Sequence, residues 1–459
     1  MSTQTLIIIV MAVYLAGMIG IGLYGRKFAA TFNDSITAAK QSTTIMIIGG
    51  AVGAHIGSGF VVGGAESGAI YGIAGAWYGI GCGISWLLVG VLVAKFFYRN
   101  RYLSLSDYFK TRYNDKSTRL IYSISTPLSY VAMFAGQILA GKAIFQAFGI
   151  DGNLSIIITA LVVLFYASIS GLWGAYMTSV IQVAVIVAGL IFALISMIID
   201  GGFAAIQATL PATYFDPVPF SAETLVSLTI PTILAALFDQ TAFQRTASAK
   251  SEKAAVRGHI YGGLLLIVMA IIPPLLGMYG IALFPNVDPA SVFIDLIFYR
   301  FSPIFGAFLV AAIVSAIMST CDGAFIGIAT NIIHDIYQDM INPDASEKQL
   351  KVMQNILNVI VCIVSIGVAL MFNNILSLLS MAYTILTSGC LVPFVGGLLW
   401  KRGTAKGALA SAIAGIVCAL LISFGFFTPP YSSVFPVLPA VIVYFAVSLL
   451  TQGKQAEAA

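Results

Sequence analysis

The chain has 459 residues, of which 59% are hydrophobic and 9% charged, with 44 glycines and a formal net charge of +4; its mean hydropathy is +0.98. Soluble domains carry roughly 25% charged residues, so a water-soluble enzyme, a nucleic-acid binder and a disordered protein are all excluded. What remains is a polytopic membrane protein, with lipid as its surroundings and no nucleic-acid partner.

A bilayer-crossing helix needs roughly 20 mostly apolar residues. Thirteen such stretches follow one another near 4–24, 42–64, 70–97, 118–147, 153–171, 174–200, 224–244, 257–284, 302–333, 352–371, 374–399, 404–425 and 434–451. The first precedes Arg26 and Lys27, so its positive flank lies on the wrong side for a cleaved signal peptide and it is expected to stay as a helix. Successive spans alternate sides, and Lys and Arg crowd the cytoplasmic loops. With the N-terminus outside, Arg26, Lys27, Lys40, Arg99 to Arg119, Arg245 to Arg257, Lys348, Lys351, Lys401, Arg402, Lys406 and Lys454 fall inside. Of 22 basic residues only Lys95, at the inner end of the third stretch, Lys142 and Arg300 lie elsewhere, and the 201–223 loop has none. The expected placement is the plasma (inner) membrane, N-terminus outside and C-terminus cytoplasmic.

The second stretch reads Gly49-Gly50-Ala51-Val52-Gly53-Ala54-His55-Ile56-Gly57-Ser58-Gly59, with a histidine at mid-membrane depth. Glycine this dense marks close backbone packing or an unwound segment around a site, and the pattern predicts a break centred on Gly53 to Ser58; a smooth helix whose glycines only pack is the alternative. The seventh stretch repeats the anomaly, with Pro231 in its outer part and Phe238-Asp239-Gln240 near its inner part. Two weakened helices five positions apart are what an inverted five-plus-five repeat places in corresponding positions, with its site between them. The whole chain, 1–459, then reads as one transmembrane domain: an extra helix at 4–24, repeats at 42–200 and 224–399, and two C-terminal helices at 404–451. Cys82, Cys321, Cys362, Cys390 and Cys418 all fall inside predicted helices, and an odd number at membrane depth is no disulfide framework.

Several motifs in sequence order resemble the sodium/solute symporter family, the group containing bacterial proline, pantothenate and sugar symporters. They are Leu103-Ser104-Leu105-Ser106-Asp107-Tyr108-Phe109 with Arg112-Tyr113; Gly171-Leu172-Trp173-Gly174-Ala175 with Thr178 and Ile181-Gln182; Asp239-Gln240, Gln244-Arg245 and Ala249-Lys250-Ser251; Ala316-Ile317-Met318-Ser319-Thr320-Cys321-Asp322; and Trp400-Lys401-Arg402-Gly403 with Gly407. The resemblance implies an all-α, leucine-transporter-type fold. In it, helices 2–11 form the inverted repeat, helices 2 and 7 are broken, and Na+ binds between helix 2 and helix 9. Its ligands would be the backbone carbonyls of Gly53, Ile56 and Ala316 and the side-chain oxygens of Ser319 and Thr320. The chemistry agrees, since a hard monovalent cation wants several oxygens and an unwound segment frees carbonyls. Back-bonding of both hydroxyls to carbonyls one turn earlier is the structural alternative.

Two departures stand out. Family members with a second sodium usually carry an aspartate after the threonine of the sixth helix; here the pair is Thr178-Ser179, so one sodium per cycle is expected. His55 stands where relatives have a small polar or acidic residue beside the substrate. It is expected to donate to substrate and to be neutral while sodium is bound, a proton-linking or purely structural histidine being the alternatives. The substrate pocket is expected between helices 2, 3, 4, 7 and 11, from His55, Ser58, Phe60, Trp77, Gln137, Phe238 and Tyr383.

Among other charges, Glu66 reads as a vestibule residue or an exposed interfacial acid, Lys142 as snorkelling, and Asp239 and Arg245 as structural. Asp322, two residues beyond the sodium pair, reads as tuning the ion or capping a packing network. His259 and His334 are placed near cytoplasmic helix ends. The resulting expectation is a sodium-coupled symporter, not an enzyme, moving an amino acid, a carboxylate or a neutral polar solute by alternating access with no obligate protein partner. A proton-coupled transporter using His55, and a membrane solute sensor, are the rival readings. An intramembrane enzyme is disfavoured by the absence of an HExxH pair.

Overall fold

The computed structural model describes residues 3–25, 36, 40–167, 172–372 and 374–456. Arg26, Lys27 and Gly171 lie outside the described residues, as do the side chains of Leu172, Trp173 and Lys454. In hydrocarbon every backbone N–H and C=O must be satisfied within its own segment. The apolar stretches accordingly lie on helices, which in chain order are α1 (Thr3–Gly25), α2 (Thr44–His55), α3 (Ser58–Tyr71), α4 (Ala76–Leu88), α5 (Ala94–Asn100), α6 (Leu105–Tyr113), α7 (Arg119–Ala147), α8 (Gly152–Ala167), α9 (Leu172–Ile199), α10 (Gly202–Thr209), α11 (Ala222–Ala235), α12 (Gln240–Ser248), α13 (Glu252–Met269), α14 (Ile272–Leu283), α15 (Val292–Tyr299), α16 (Pro303–Ala329), α17 (Glu347–Met371), α18 (Ile375–Leu399), α19 (Ala405–Ser423) and α20 (Val437–Ala456). Among the described residues nine helical stretches are long and apolar enough to cross a membrane, accompanied by shorter apolar helices at Thr5–Ile21, Thr44–His55, Gly152–Phe165 and Val437–Gln452. The protein is an all-helical, multi-pass membrane protein.

Several boundaries differ from the sequence reading. The stretch expected at 42–64 is divided at Ile56-Gly57 and runs on to Tyr71. The next begins at Ala76, after a 3-10 turn at Gly72–Gly75 that opens on Gly72 with φ +65°. The 302–333 stretch continues as a π-helix over Thr330–Ile341. Helices α6, α10 and α15 fall in segments too short or too polar for the hydropathy pattern. For α6 the capping box of Ser104 and Asp107 was a readable signal.

The packing is inside-out relative to a soluble protein. Ile356, Ile360 and Ile363 on α17 are 50–63% exposed, as a lipid-facing surface requires, whereas Ser58, Gln137, Ser319 and Thr320 are buried. Helix α2 packs against α9, α13 and α16; α7 packs against α16, α17 and α18; α3 crosses α14 closely. That crossing needs glycine, because a Cβ on Gly277 would overlap the Ala65 carbonyl. All five cysteines are free thiols.

At the end of the bundle carrying Arg99 to Arg119, the guanidinium of Arg119 gathers three carboxylates: Nη2 to Asp107 Oδ1 at 2.8 Å, Nη1 to Asp335 Oδ1 at 3.3 Å and Nε to Asp339 Oδ2 at 2.9 Å. Ser104 Oγ also donates to Asp335 Oδ2, at 2.8 Å. This network joins α6, α7 and the π-helical end of the 303–341 run.

Candidate functional site

Buried polar atoms must find partners, so the place where they collect inside an apolar bundle is where a site can be built. Here they collect around the break between α2 and α3. Ile56 (φ −76°, ψ 60°) and Gly57 (φ −90°, ψ −164°) leave the helical conformation, although the Ile56 N–H still returns to Val52 O at 2.6 Å. A Cβ on Gly57 would stand 2.5 Å from Thr320 Oγ1 and 3.2 Å from Gln137 Oε1, so the break fits between α7 and α16 only as glycine. Gln137 Oε1 accepts the Ser58 N–H at 3.0 Å, and Ser58 Oγ donates to Gly136 O at 3.3 Å. A side chain from α7 thus caps α3, which the glycine before it cannot do.

Opposite the break, α16 brings Ser319 and Thr320. Ser319 Oγ donates to Gly53 O at 2.7 Å and to Ala316 O at 3.2 Å; Thr320 Oγ1 lies 3.0 Å from Ala316 O, 3.3 Å from Ala54 O and 3.4 Å from Gly53 O. Gly53, Ala316, Ser319 and Thr320 are therefore brought together through their oxygens. The carbonyl seen beside them from the end of α2 is that of Ala54, which sequence reasoning did not name; Ile56 lies at the break itself, fully buried. Each hydroxyl stands within bonding distance of both Ala316 O and a carbonyl of α2, and its single proton can turn to either. The donor set fits Na+: every atom is oxygen, none carries a full charge, and freed carbonyls at a helix break supply part of the shell.

His55 is buried, and its Nδ1 accepts the Trp86 indole N–H at 2.9 Å, the two rings meeting edge to face at 5.3 Å. Indole N–H is a donor only, so a neutral His55 carries its proton on Nε2. Trp86 in turn lies against His259, centroids 5.1 Å apart, and His259 Nε2 is hydrogen-bonded to Thr246 Oγ1 at 2.9 Å. His259 is thus not a peripheral helix-end residue: it is fully buried and extends a His-Trp-His column away from the break.

Phe60 is buried behind the break, and Tyr383 pairs its hydroxyl with that of Tyr78 at 3.2 Å. Trp77 is placed apart from the others, since its indole N–H donates to Pro217 O at 2.7 Å in the loop before α11. A residue at the start of α4 faces that loop while Tyr78, Cys82 and Trp86, four apart, line the inner face. That spacing was the signal by which Tyr78 and Trp86 were findable.

The second break lies between α11 and α12. A 3-10 turn over Ala236–Phe238 leads to Asp239, whose Oδ1 accepts from the Thr241 N–H at 2.7 Å, the Thr241 hydroxyl at 2.6 Å and the Tyr130 hydroxyl at 2.6 Å. The Tyr122 hydroxyl donates to Phe238 O at 2.6 Å, and the Phe238 ring packs on Phe394. Asp239 is a structural cap, and Arg245 Nη1 returns to Thr241 O in its own helix. Both breaks are held by α7, the first through Gln137 and the second through Tyr122 and Tyr130.

A cavity of about 530 Å³ opens between α3, α11 and α18 at the end of the bundle opposite Arg119, lined in part by Glu66, Tyr78, Ser227, Thr232, Asn374 and Thr384. Glu66 is not an exposed interfacial acid: it is 4% exposed, and its Oε1 accepts from Asn374 Nδ2.

A model of the sodium:solute symporter family matches residues 36–415. The sodium/proline symporter of Escherichia coli (strain K12) is 27% identical over 449 residues, covering 92% of this chain and 88% of that protein. The sodium/glucose cotransporter of Vibrio parahaemolyticus is 26% identical over 465 residues, covering 91% and 85%. The structure of a Na+-coupled sialic acid symporter in a substrate-bound outward-open state superposes with a TM-score of 0.80 over 97% of this chain and 98% of that one, at 18% identity. MhsT in complex with L-phenylalanine gives 0.55 over 90% and 99%, at 16% identity. The chain belongs to the sodium:solute symporter family and is a sodium-coupled membrane transporter, not an enzyme.

Proposed function

We propose that the protein imports a small polar organic solute by alternating access, with one Na+ per cycle bound between the α2–α3 break and α16. The observation that carries this is the cluster of Ser319 and Thr320 hydroxyls against the Gly53, Ala54 and Ala316 carbonyls. A hydroxyl that donates to a carbonyl in one state can turn its lone pairs to a cation in another, so the same atoms serve the bound and released forms. Ion binding there joins two elements and favours the state in which they are close; coupling equals the difference in affinity between the two states. A single sodium is supported by Thr178, whose hydroxyl bonds back to Ala175 O at 3.1 Å, and by the absence of a carboxylate at Ser179.

In the same reading the chain crosses the plasma (inner) membrane thirteen times with its N-terminus outside, and helices 2 and 7 are the broken members of an inverted repeat over helices 2–11. The substrate stands near His55, Ser58, Phe60, Gln137, Phe238 and Tyr383. The relatives named for proline, glucose, sialic acid and phenylalanine support an amino-acid, carboxylate or neutral polar solute as the class.

The test needs no substrate. The melting temperature of detergent-purified protein is measured in NaCl and in equal KCl, for wild type and for Ser319→Ala/Thr320→Ala. A ligand that binds only the folded state raises it by mass action, about 2.7 kcal/mol at a hundredfold excess over Kd. A sodium-specific rise in wild type, lost in the double variant, is the expected outcome. No sodium response in wild type, with a pH-dependent one instead, would replace sodium by the proton as the coupling ion.

A further inference from the structure

The cavity between α3, α11 and α18 is walled largely by hydroxyls, carries two carboxylates, Glu66 and Glu223, and has no Lys, Arg or His in its lining. Acidic groups alone do not make a site, but two of the lining side chains point to a ligand. Glu66 is 4% exposed; Oε1 takes the Asn374 amide N–H, while Oε2 is buried with no partner. Ser67 is 1% exposed, and its Oγ is buried with no partner as well. A buried carboxylate oxygen left unsatisfied is costly, and here it belongs to a residue that lines a space large enough for a solute. Asn374 is held in place by its Oδ1, which accepts the N–H of Ser377 at 2.8 Å and the Ser377 hydroxyl at 3.1 Å, capping α18.

We propose that this cavity is a binding site for a solute carrying a protonated amine, with Glu66 as the ion-pair partner of the ammonium and the surrounding hydroxyls, Ser67 among them, as further acceptors. The inference rests on the symport reading and takes the cavity, whose lining shares no residue with the substrate set named above, as an entry site that admits amines. An ammonium brings three donors and no acceptor, which complements a wall of oxygens, and its N–H bond to a carboxylate is charge-assisted. A purely anionic solute would meet two like charges and no positive one, which disfavours it. The cavity also leads toward the first break. Tyr78, in its wall, bonds to Tyr383, and a Cβ on Gly59, the second residue of α3, would stand 3.2 Å from the Tyr78 hydroxyl.

The test uses three ring compounds that differ only in their charged groups: pyrrolidine (amine), cyclopentanecarboxylate (acid) and L-proline (both). Each is titrated in NaCl and in KCl against the melting temperature of the full chain as wild type, Glu66→Gln and Glu66→Asp. Pyrrolidine and L-proline are expected to raise the melting temperature and cyclopentanecarboxylate to leave it unchanged. Glu66→Gln, which can still accept from Asn374, is expected to weaken the apparent affinity for pyrrolidine about tenfold or more, and Glu66→Asp less. The sodium response of Glu66→Gln should equal that of wild type, which establishes that this variant is folded. The proposal is overturned by an equal response to cyclopentanecarboxylate, by unchanged pyrrolidine affinity in Glu66→Gln, or by no response to either amine. Loss of the sodium response in Glu66→Gln would also overturn it, by making Na+ the cavity's cation. Absence of a sodium response in wild type would sink the symport reading alone, since the amine titration in KCl still decides the cavity's ligand.

Discussion

Gly57 is the residue on which the first break turns, because two partners from two other helices already occupy the space its side chain would take. Gly57→Ala places a methyl group 2.5 Å from Thr320 Oγ1 and 3.2 Å from Gln137 Oε1. Overpacking of this kind costs about 1–3 kcal/mol, and here it pushes aside Thr320 Oγ1, one of the oxygens proposed to hold sodium. Gly57→Ala is therefore expected to fold with a lowered melting temperature and to lose most of the sodium-induced rise, as read by melting in NaCl against KCl; an unchanged rise would mean that Thr320 is not a ligand. At this scale the sequence was informative through the family resemblance, which implied Ser319 and Thr320 beside Gly53. It was silent where a partner arrives from a distant helix. Nothing in the neighbourhood of residue 66 announces Asn374, and nothing around His55 announces Trp86, so Glu66 stayed ambiguous and the imidazole's bonding was invisible.

Helix positions were legible because backbone satisfaction in hydrocarbon leaves hydropathy as the dominant signal. Interruptions of the second and seventh stretches were expected for a different reason, glycine density in one and an acid beside a proline-bearing segment in the other. What hydropathy could not reveal is the staple that holds them. Helix α7 looks like an ordinary span in sequence, yet its Gln137, Tyr122 and Tyr130 bond to both breaks. Asp239 is the hub of the second, accepting from Thr241 twice and from Tyr130 once. Loss of an N-cap costs about 0.5–2 kcal/mol, and loss of a buried hydrogen-bond acceptor leaves the Tyr130 hydroxyl unsatisfied at about 1–3 kcal/mol more. Asp239→Ala should thus lower the melting temperature more than Tyr130→Phe, and the double variant should fall short of the sum of the two because they share one bond. Strict additivity in that cycle would show that the bond carries no weight.

For the molecule as a whole, Arg119 closes one end by collecting carboxylates from α6 and from the 303–341 run. Removing one partner of a buried ionic network is costly, about 3–5 kcal/mol for a fully buried pair and less here because Asp339 is one-third exposed. Arg119→Ala is expected to lower the melting temperature in NaCl and KCl alike while leaving the difference between them, because the sodium oxygens are untouched; a variant as stable as wild type would reduce the network to a surface decoration. The segment from Pro303 to Ile341 has a further consequence. It is 39 residues of unbroken helix, with Ser319 near its middle and Asp335 toward its end. At about 1.5 Å per residue the two stand roughly 24 Å apart along one rod. A tilt of only about 5° at the Ser319 level sweeps Asp335 through about 2 Å, as much as separates a formed ion pair from a broken one. With sodium bound where it is proposed, the run would act as a lever with a short arm at the ion and a long arm at the Arg119 latch, so that a small tilt at one end would make or break a bond at the other.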